Sequence, residues 1–290
     1  MNLRSRHPRT CVDALAELFG RSRDAFYKHD IEKHEKKKFN DAFIVESVKE
    51  LRQDAPMIGG YKLFLMLQFL YPDKMMGRDR FYRLLHKHHL MLKPAGKRHT
   101  TDSNHHFHKW KNLIKGFAPD APRQLFVADI TYIETNEGVC YLHLVTDAYT
   151  REIVGWALSD TLHAVHTLSA LRHAVGQSQK YDLSKLIHHS DRGIQYCCNQ
   201  YVEYLQSIGS RISMTEDYKP TDNAIAERVN GIIKSEWLYV MQRPKDIGRA
   251  REMLNKIIDF YNTRRPHMSI GMKTPLQKRI EYETEHGIAA

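Results

Sequence analysis

Apolar residues recur along this chain in two different rhythms, and the change between them falls near residue 122. Before residue 93 they return at helical spacing. The stretch "CVDALAELFGRSRDAFYKH" (residues 11–29) places Leu15, Leu18 and Phe19 on one stripe and turns at Gly20. It then offers Ser22 as the cap of a second short helix carrying Arg23, Phe26, Tyr27 and Lys28. That spacing suits a helix-turn-helix and equally an ordinary helical hairpin. "HEKKKFN" follows as a charged break. A second helical module runs from Phe43 to Leu92, in which Ile44, Val48 and Leu51 share a face. "GGYKLFLMLQFL" and "RDRFYRLLHKHHLML" read as further helices that mix basic residues with an apolar face.

Beyond residue 122 the runs are short and β-rich. "LFVADITYIET", the turn "NEG", "VCYLHLVTDAYT" and "EIVGWALSD" form the pattern of an antiparallel meander. Asp160 or Thr161 then caps a helix with Val165, Leu168, Leu171 and Val175 inward. "KLIHHSD" reads as a short buried strand, "NQYVEYLQSIG" as a helix stopped by Gly209, and "RISMTE" as another strand. A helix over "KPTDNAIAERVNGIIK" (219–234), capped by Asp222 or Asn223, comes next. A long helix from Asp246 turns Ile247, Ala250, Leu254, Ile257, Ile258 and Tyr261 inward. The order βββαβαβα predicts an α/β fold with a mixed sheet flanked by helices, preceded by an all-α helix-turn-helix region.

Charge separates the same two regions. Residues 1–120 carry 24 Lys and Arg against 14 Asp and Glu, whereas residues 121–290 carry 20 of each, so the net charge of +10 lies wholly in the first part. A basic region joined to a neutral globular unit suits a polyanion partner, because neutralised phosphates release counterions. In the helix-turn-helix reading, Arg23 and Lys28 face a major groove. Residues 93–122 are polar, basic and bracketed by prolines; they read as a linker in which Lys109 and Lys111 flank Trp110 as a nucleic-acid tether. The chain has no run of 18 apolar residues and no signal-peptide stretch, which predicts a soluble, intracellular protein with no membrane partner. Cys11, Cys140, Cys197 and Cys198 lack metal-ligand spacing, which favours thiols over a zinc site.

Three acids stand out against this background. Asp129 interrupts the apolar strand "FVADITYI", where an unpaired charge costs several kcal/mol or shifts its pKa. Asp191 closes the strand "LIHHSD", at the end where side chains face a crevice in open α/β sheets. Glu227 follows with 35 residues between them. On its helix, Asn230 and Lys234 lie on the same face at about 100° per residue, so one face presents an acid, an amide and a base. A carboxylate near a helix start also suits the helix dipole without any chemistry. Three converging carboxylates can hold two divalent cations, which stabilise the entering and leaving oxygens of a phosphodiester. Asp147 in "VTDAYT" reads as a turn residue. In "YNTRRPH", Arg264 and Arg265 either end the last helix favourably or contact phosphate.

Asp129 in "ADITYI", Asp191 in "HSDRGIQY", Glu227 in "NAIAERVNGIIK" and Lys234 seven residues on resemble the DDE transposases and retroviral-type integrases. The closer resemblance is to the second reading-frame product of IS3-type bacterial insertion sequences, suggested also by "YNTRRPHMSIGMKTP" (261–275). This resemblance implies an RNase H-like mixed five-stranded sheet. It implies Mg²⁺ or Mn²⁺, as two ions, on Asp129, Asp191 and Glu227, and DNA contact by Lys234, with Asn230 beside it. It also implies metal-dependent hydrolysis at transposon ends followed by 3′-hydroxyl strand transfer. The partners implied are double-stranded DNA (terminal inverted repeats and target), further copies of the chain on paired ends, and an upstream-frame helix-turn-helix partner or frameshift fusion, all in the bacterial cytoplasm. A catalytically silent DNA-binding regulator and a structure-specific RNase H-like nuclease are the competing readings. The expected domains are 1–38 (helix-turn-helix-like), 39–92 (helical, DNA-binding), 93–121 (linker), 122–280 (catalytic core) and 281–290 (tail).

Overall fold

The computed structural model describes residues 11–20, 22, 31–92, 107–216 and 223–288. Arg23 and Lys28, with the helix expected to carry them, lie outside the described residues, as do much of the expected linker and residues 217–222 with Asp222. Packing divides the chain into two units, Met1–Glu50 with Leu67–Met91, and Leu51–Met66 with Leu92–Ala290.

The first unit is helical. Helix α1 (Val12–Leu18) buries Leu15 and Ala16 and ends at Gly20, whose φ of 59° is left-handed. Leu18 and Phe19, expected on the buried stripe, are exposed instead. Helix α2 (Ile31–Asp54) runs unbroken for 24 residues. The expected break at "HEKKKFN", and with it the boundary at residue 38, is therefore corrected. Lys and Glu are good helix formers, and a charged run without Gly or Pro stays helical with its charges in water. Ile44, Val48 and Leu51 are buried as the stripe predicts. Helices α3 (Gly60–Leu70) and α4 (Arg78–Lys87) follow; the last turn of α2 from Leu51 and α3 up to Met66 belong to the second unit. Within the unit, Tyr71 meets Phe43 edge-on, Lys74 stacks over the Phe43 ring, and Arg80 pairs with Asp41.

In the second unit, strands β1 (Leu125–Thr135), β2 (Gly138–Asp147) and β3 (Ile153–Ser159) form the expected meander. Strands β4 (Ile187–Ser190) and β5 (Arg211–Met214) add in parallel, giving the sheet order β3-β2-β1-β4-β5. This is the mixed five-stranded, RNase H-like sheet, flanked by α5 (Ala164–Gly176), α6 (Ile194–Cys197), α7 (Asn199–Ser207), α8 (Ala224–Ile233) and α9 (Ile247–Thr263). Helix α5 starts after His163 with no side-chain cap, later than Asp160 or Thr161 would place it, and Val165 is exposed. The helix crosses β3 at Gly155, where an added Cβ would stand 2.2 Å from the Ala170 carbonyl oxygen.

Side chains of β1 alternate between two cores, as a pleated strand requires. Phe126 and Ala128 join Val145, Val154, Leu168, Leu171, Tyr201 and Leu205 on the α5–α7 side. Leu125 and Val127 join Ala148, Ile187 and Ala226 on the α8 side. Asp129 is the next residue on that second face.

Two expected boundaries change. The stretch 107–116 is docked along the free side of β5 rather than hanging as a tether. The Lys111 carbonyl accepts from the Met214 N–H, the Leu113 N–H donates to Ser213 Oγ, and Trp110 and Ile114 pack against the two cores. Covering an edge strand in this way satisfies its open backbone groups. At the C-terminal end, α10 (Pro275–Glu285) starts at a Thr274–Gln277 capping box and runs through the expected boundary at residue 280. Buried Glu283 takes bonds from Tyr181 and Arg279, so this end belongs to the fold.

Candidate active site

The register of β4 against β1 sets two of the three acids side by side. Leu125 pairs with Ile187, Phe126 with His188 and Val127 with His189. Carried two residues further, the same register puts Asp191, just beyond the end of β4, level with Asp129. Oδ1 of Asp191 accepts from the Gly193 N–H at 2.9 Å, and an added Cβ on Gly193 would come within 3.0 Å of that oxygen, so glycine permits the tight exit.

Helix α8 delivers the third acid. Asn223 and Asn230, two turns apart on one face, both reach β1: Asn223 Nδ2 donates to the Ala128 carbonyl at 3.0 Å and Asn230 Nδ2 to Asp129 Oδ2 at 2.7 Å. Asn223 sits at the N-cap position, but its side chain clamps helix to strand instead of capping. Glu227 lies between them on this face and is exposed. The expected face of acid, amide and base is therefore present. Its amide is buried against Asp129, however, and not offered to DNA, which corrects the expectation for Asn230. After Ile233 the helix passes into a π-helical turn, Lys234–Leu238. Such turns recur at functional sites. The Lys234 ammonium sits 4.1 Å from the centre of the Tyr132 ring.

Burial first, then the charge of Asp191 and, less strongly, that of Glu227 push the Asp129 carboxyl up to about 7, against the lowering bonds from Asn230 and the Ile130 N–H. Burial lowers the Lys234 ammonium, with Asp129 opposing. Tyr196 is buried beside the acids; burial, then Asp191 and Asp129, raises its hydroxyl, which has no hydrogen-bond partner among the described residues. Among the described residues no three His, Cys, Asp or Glu side chains are gathered closely enough to hold a metal ion as they stand. Asp129 feels the charge of both Asp191 and Glu227. Hard carboxylate oxygens of this kind fit a divalent cation such as Mg²⁺.

The other predicted contacts divide. Lys109 and Lys111 are exposed. Arg264 is half exposed, stacked over Phe260 and paired with Asp54 at 2.7 Å. Arg265 is only 2% exposed and grips Glu236 through Nε and a terminal nitrogen at 2.8 and 2.5 Å, so phosphate contact by Arg265 is corrected to a buried ion pair. Lys62 adds a third bond to Glu236, and Trp237 donates to the Asp54 carbonyl. Burial works to raise the Glu236 carboxyl, but Arg265 and Lys62 outweigh it and hold it below its ordinary value. Asp147 is a turn residue, as expected. Fully buried, it accepts from the Arg123, Tyr149 and Thr150 N–H groups and the Thr150 hydroxyl, and it pairs with the Arg123 side chain. Tyr132 and Tyr196 were not singled out by sequence reasoning, and Asn223 was expected only as a cap; the spacing of Asn223 and Asn230 around Glu227 was the one signal for its place at the site.

Residues 119–220 match the family model "Integrase core domain", and a second model with the same description matches residues 208–275. The "Insertion element IS600 uncharacterized 31 kDa protein" of Shigella sonnei is 34% identical over 279 residues, covering 95% of this chain and all of that protein. A putative transposase for insertion sequence element IS986/IS6110 of Mycobacterium tuberculosis is 34% identical over 169 residues, 57% of this chain and 61% of that protein. The transposase InsF for insertion sequence IS3A of Escherichia coli is 32% identical over 169 residues, 58% of each chain. The chain thus spans less than two thirds of the latter two relatives. Among solved structures, the HTLV-2 integrase catalytic core domain in complex with magnesium is similar at 19% identity with a TM-score of 0.42, over 55% of this chain and 98% of that one. With its integrase core and a relative matched from end to end, the chain belongs to the transposases of IS3-type insertion sequences.

Proposed function

We propose that Asp129, Asp191 and Glu227 are the catalytic carboxylates of a DNA transposase that cuts at transposon ends and joins the freed ends to new DNA. One observation carries this reading. A half-buried strand aspartate, raised to about 7 by burial and by two further acids, sits at the meeting point of β1, β4 and α8 with no cation paired to it among the described residues.

The three acids would hold Mg²⁺ or Mn²⁺, as two ions. When bound, such ions stabilise charge on the attacking and leaving oxygens and lower the pKa of water. The chain's own residues supply positioning. Asn230 fixes the Asp129 carboxylate, Gly193 fixes that of Asp191, and Lys234 takes a phosphate oxygen near the scissile bond. Water attacks first and frees a 3′-hydroxyl; that hydroxyl then attacks a second phosphodiester in line, without a covalent protein intermediate. Lys109 and Lys111 contact the backbone of double-stranded DNA, as do Arg23 and Lys28 in the N-terminal part. The substrates are terminal inverted repeats and target DNA. The working form is an oligomer on paired ends, joined by an upstream-frame helix-turn-helix partner or fused to it, in the bacterial cytoplasm. No helix among the described residues is long and apolar enough to cross a membrane.

The test is strand cleavage of terminal-repeat DNA in Mg²⁺. The unmutated protein cuts, and Asp191→Asn does not. Retained cutting by Asp191→Asn in nuclease-free preparations overturns the assignment. Salt-dependent binding by the unmutated protein without any metal-dependent cutting favours a silent DNA-binding regulator. Cutting of junctions or hybrids without joining favours a structure-specific nuclease.

A further inference from the structure

Lys234 stands in a position that ought to trap it. It is half buried, feels the charge of Asp129, and lies on the α8 face that carries Glu227 and Asn230. An ammonium drawn toward an uncompensated, half-buried carboxylate ordinarily closes a salt bridge, because attraction strengthens as water is excluded. Yet among the described residues no salt bridge joins Lys234 to an acid. Its Nζ rests on the face of the Tyr132 ring, 4.1 Å from the centroid. Tyr132 lies three residues beyond Asp129 on β1 and is 43% exposed. The face of an aromatic ring attracts a cation through its quadrupole without neutralising it.

Resting on the reading of Lys234 as the phosphate contact and of the three acids as metal ligands, we infer that Tyr132 is a positioning residue that holds the Lys234 ammonium beside Asp129 but off it. The ring thereby solves two problems. It keeps the lysine from occupying the carboxylate as an internal cation in competition with metal. It also leaves the ammonium charged and within a side-chain swing of an incoming phosphate. Two groups act on Lys234: the Tyr132 ring beneath its ammonium and the charge of Asp129. Removing the ring removes one of the two seats. The hydroxyl of Tyr132 takes no part, since the attraction belongs to the ring face.

The test is a Mn²⁺ titration of the full chain without DNA, read as the shift in thermal unfolding relative to each variant's own metal-free midpoint. Tyr132→Phe keeps the ring and holds the half-saturating Mn²⁺ concentration within about twofold of the unmutated value. Tyr132→Leu keeps apolar bulk but loses the ring face, and raises it about fivefold or more, within the roughly two- to thirty-fold that an aromatic seat for a cation is worth. Adding Lys234→Met to Tyr132→Leu removes the competitor and restores the response to within about twofold, which loss of folding or packing at Tyr132 would not do. An unchanged titration in Tyr132→Leu, or a defect that persists in Tyr132→Leu/Lys234→Met, overturns the inference while leaving the carboxylate assignment standing. No Mn²⁺ response in the unmutated protein overturns both.

Discussion

Asp129 and Asp147 lie on paired strands only three rungs apart, Phe126 being the residue opposite Asp147. Their surroundings are opposite in kind. Asp147 is wrapped by backbone donors, a hydroxyl and the buried Arg123 guanidinium. Asp129 receives one amide and its neighbour's N–H, and faces two further acids. Glu236 on the π turn repeats the first pattern, with Arg265 and Lys62 as its cations. A buried acid whose charge is met by the fold is structural. One whose charge is left unmet is held for something the fold does not supply, and the penalty it carries is the signature of a functional site.

Substitutions separate the two kinds of acid most sharply. Asp147→Ala takes one of two acids from the buried Arg123 guanidinium, leaving Glu152, and unpairs the buried N–H groups of Arg123 and Thr150; it costs about 3–5 kcal/mol of stability, read from denaturant unfolding. Asp129→Asn keeps or raises stability while lowering DNA strand cleavage at least about a hundredfold, the scale on which pre-organised electrostatic groups act. An Asp129→Asn variant that unfolds as readily as Asp147→Ala would erase the distinction. A smaller effect follows at Asn230. Asn230→Ala removes a hydrogen bond to a charged group, about 1.5–3 kcal/mol in magnitude. Because that bond lowers the Asp129 carboxyl, its loss raises it, and the acidic limb of the pH–cleavage profile moves to higher pH.

The pH dependence of metal-free stability sharpens the comparison further. With Asp129 raised from 3.8 to about 7 in the fold, the native state holds the extra proton between those values. Stability therefore falls as pH rises from about 4 to about 7 and is flat above, by linkage. Asp129→Asn abolishes this slope. The smallest effect belongs to the surface. Lys109→Gln and Lys111→Gln each weaken DNA binding evenly across sequences and reduce the salt slope by about one, leaving the metal-dependent step untouched.

Much of the catalytic half was legible because its signals are local. The alternating runs of β1 to β3 and the position of Asp191 at a strand end follow from period and turn chemistry alone. The Glu227–Asn230–Lys234 face was predicted from helix geometry. What it points at was not, since the bond from Asn230 to Asp129 spans 101 residues of sequence. Arg265 misled for the same reason: an arginine pair after a helix looks like a basic surface until Glu236 is found opposite one member. Trp110 and Ile114 sit in a stretch whose composition says linker, and only the open side of β5 explains why they dock. The failed break at "HEKKKFN" shows that charge density by itself does not stop a helix. The N-terminal residues carry the chain's net charge, but charge fixes a class of partner and not a fold.

The central claim is that Asp129, Asp191 and Glu227 act as one unit that holds divalent metal. Calorimetric titration of Mn²⁺ into the unmutated chain and into Asp129→Asn, Asp191→Asn and Glu227→Gln tests it without DNA or turnover. The account predicts a binding heat in the unmutated protein that each single substitution removes or weakens at least about tenfold, as loss of a charged ligand should. Undiminished Mn²⁺ binding in all three variants would contradict it.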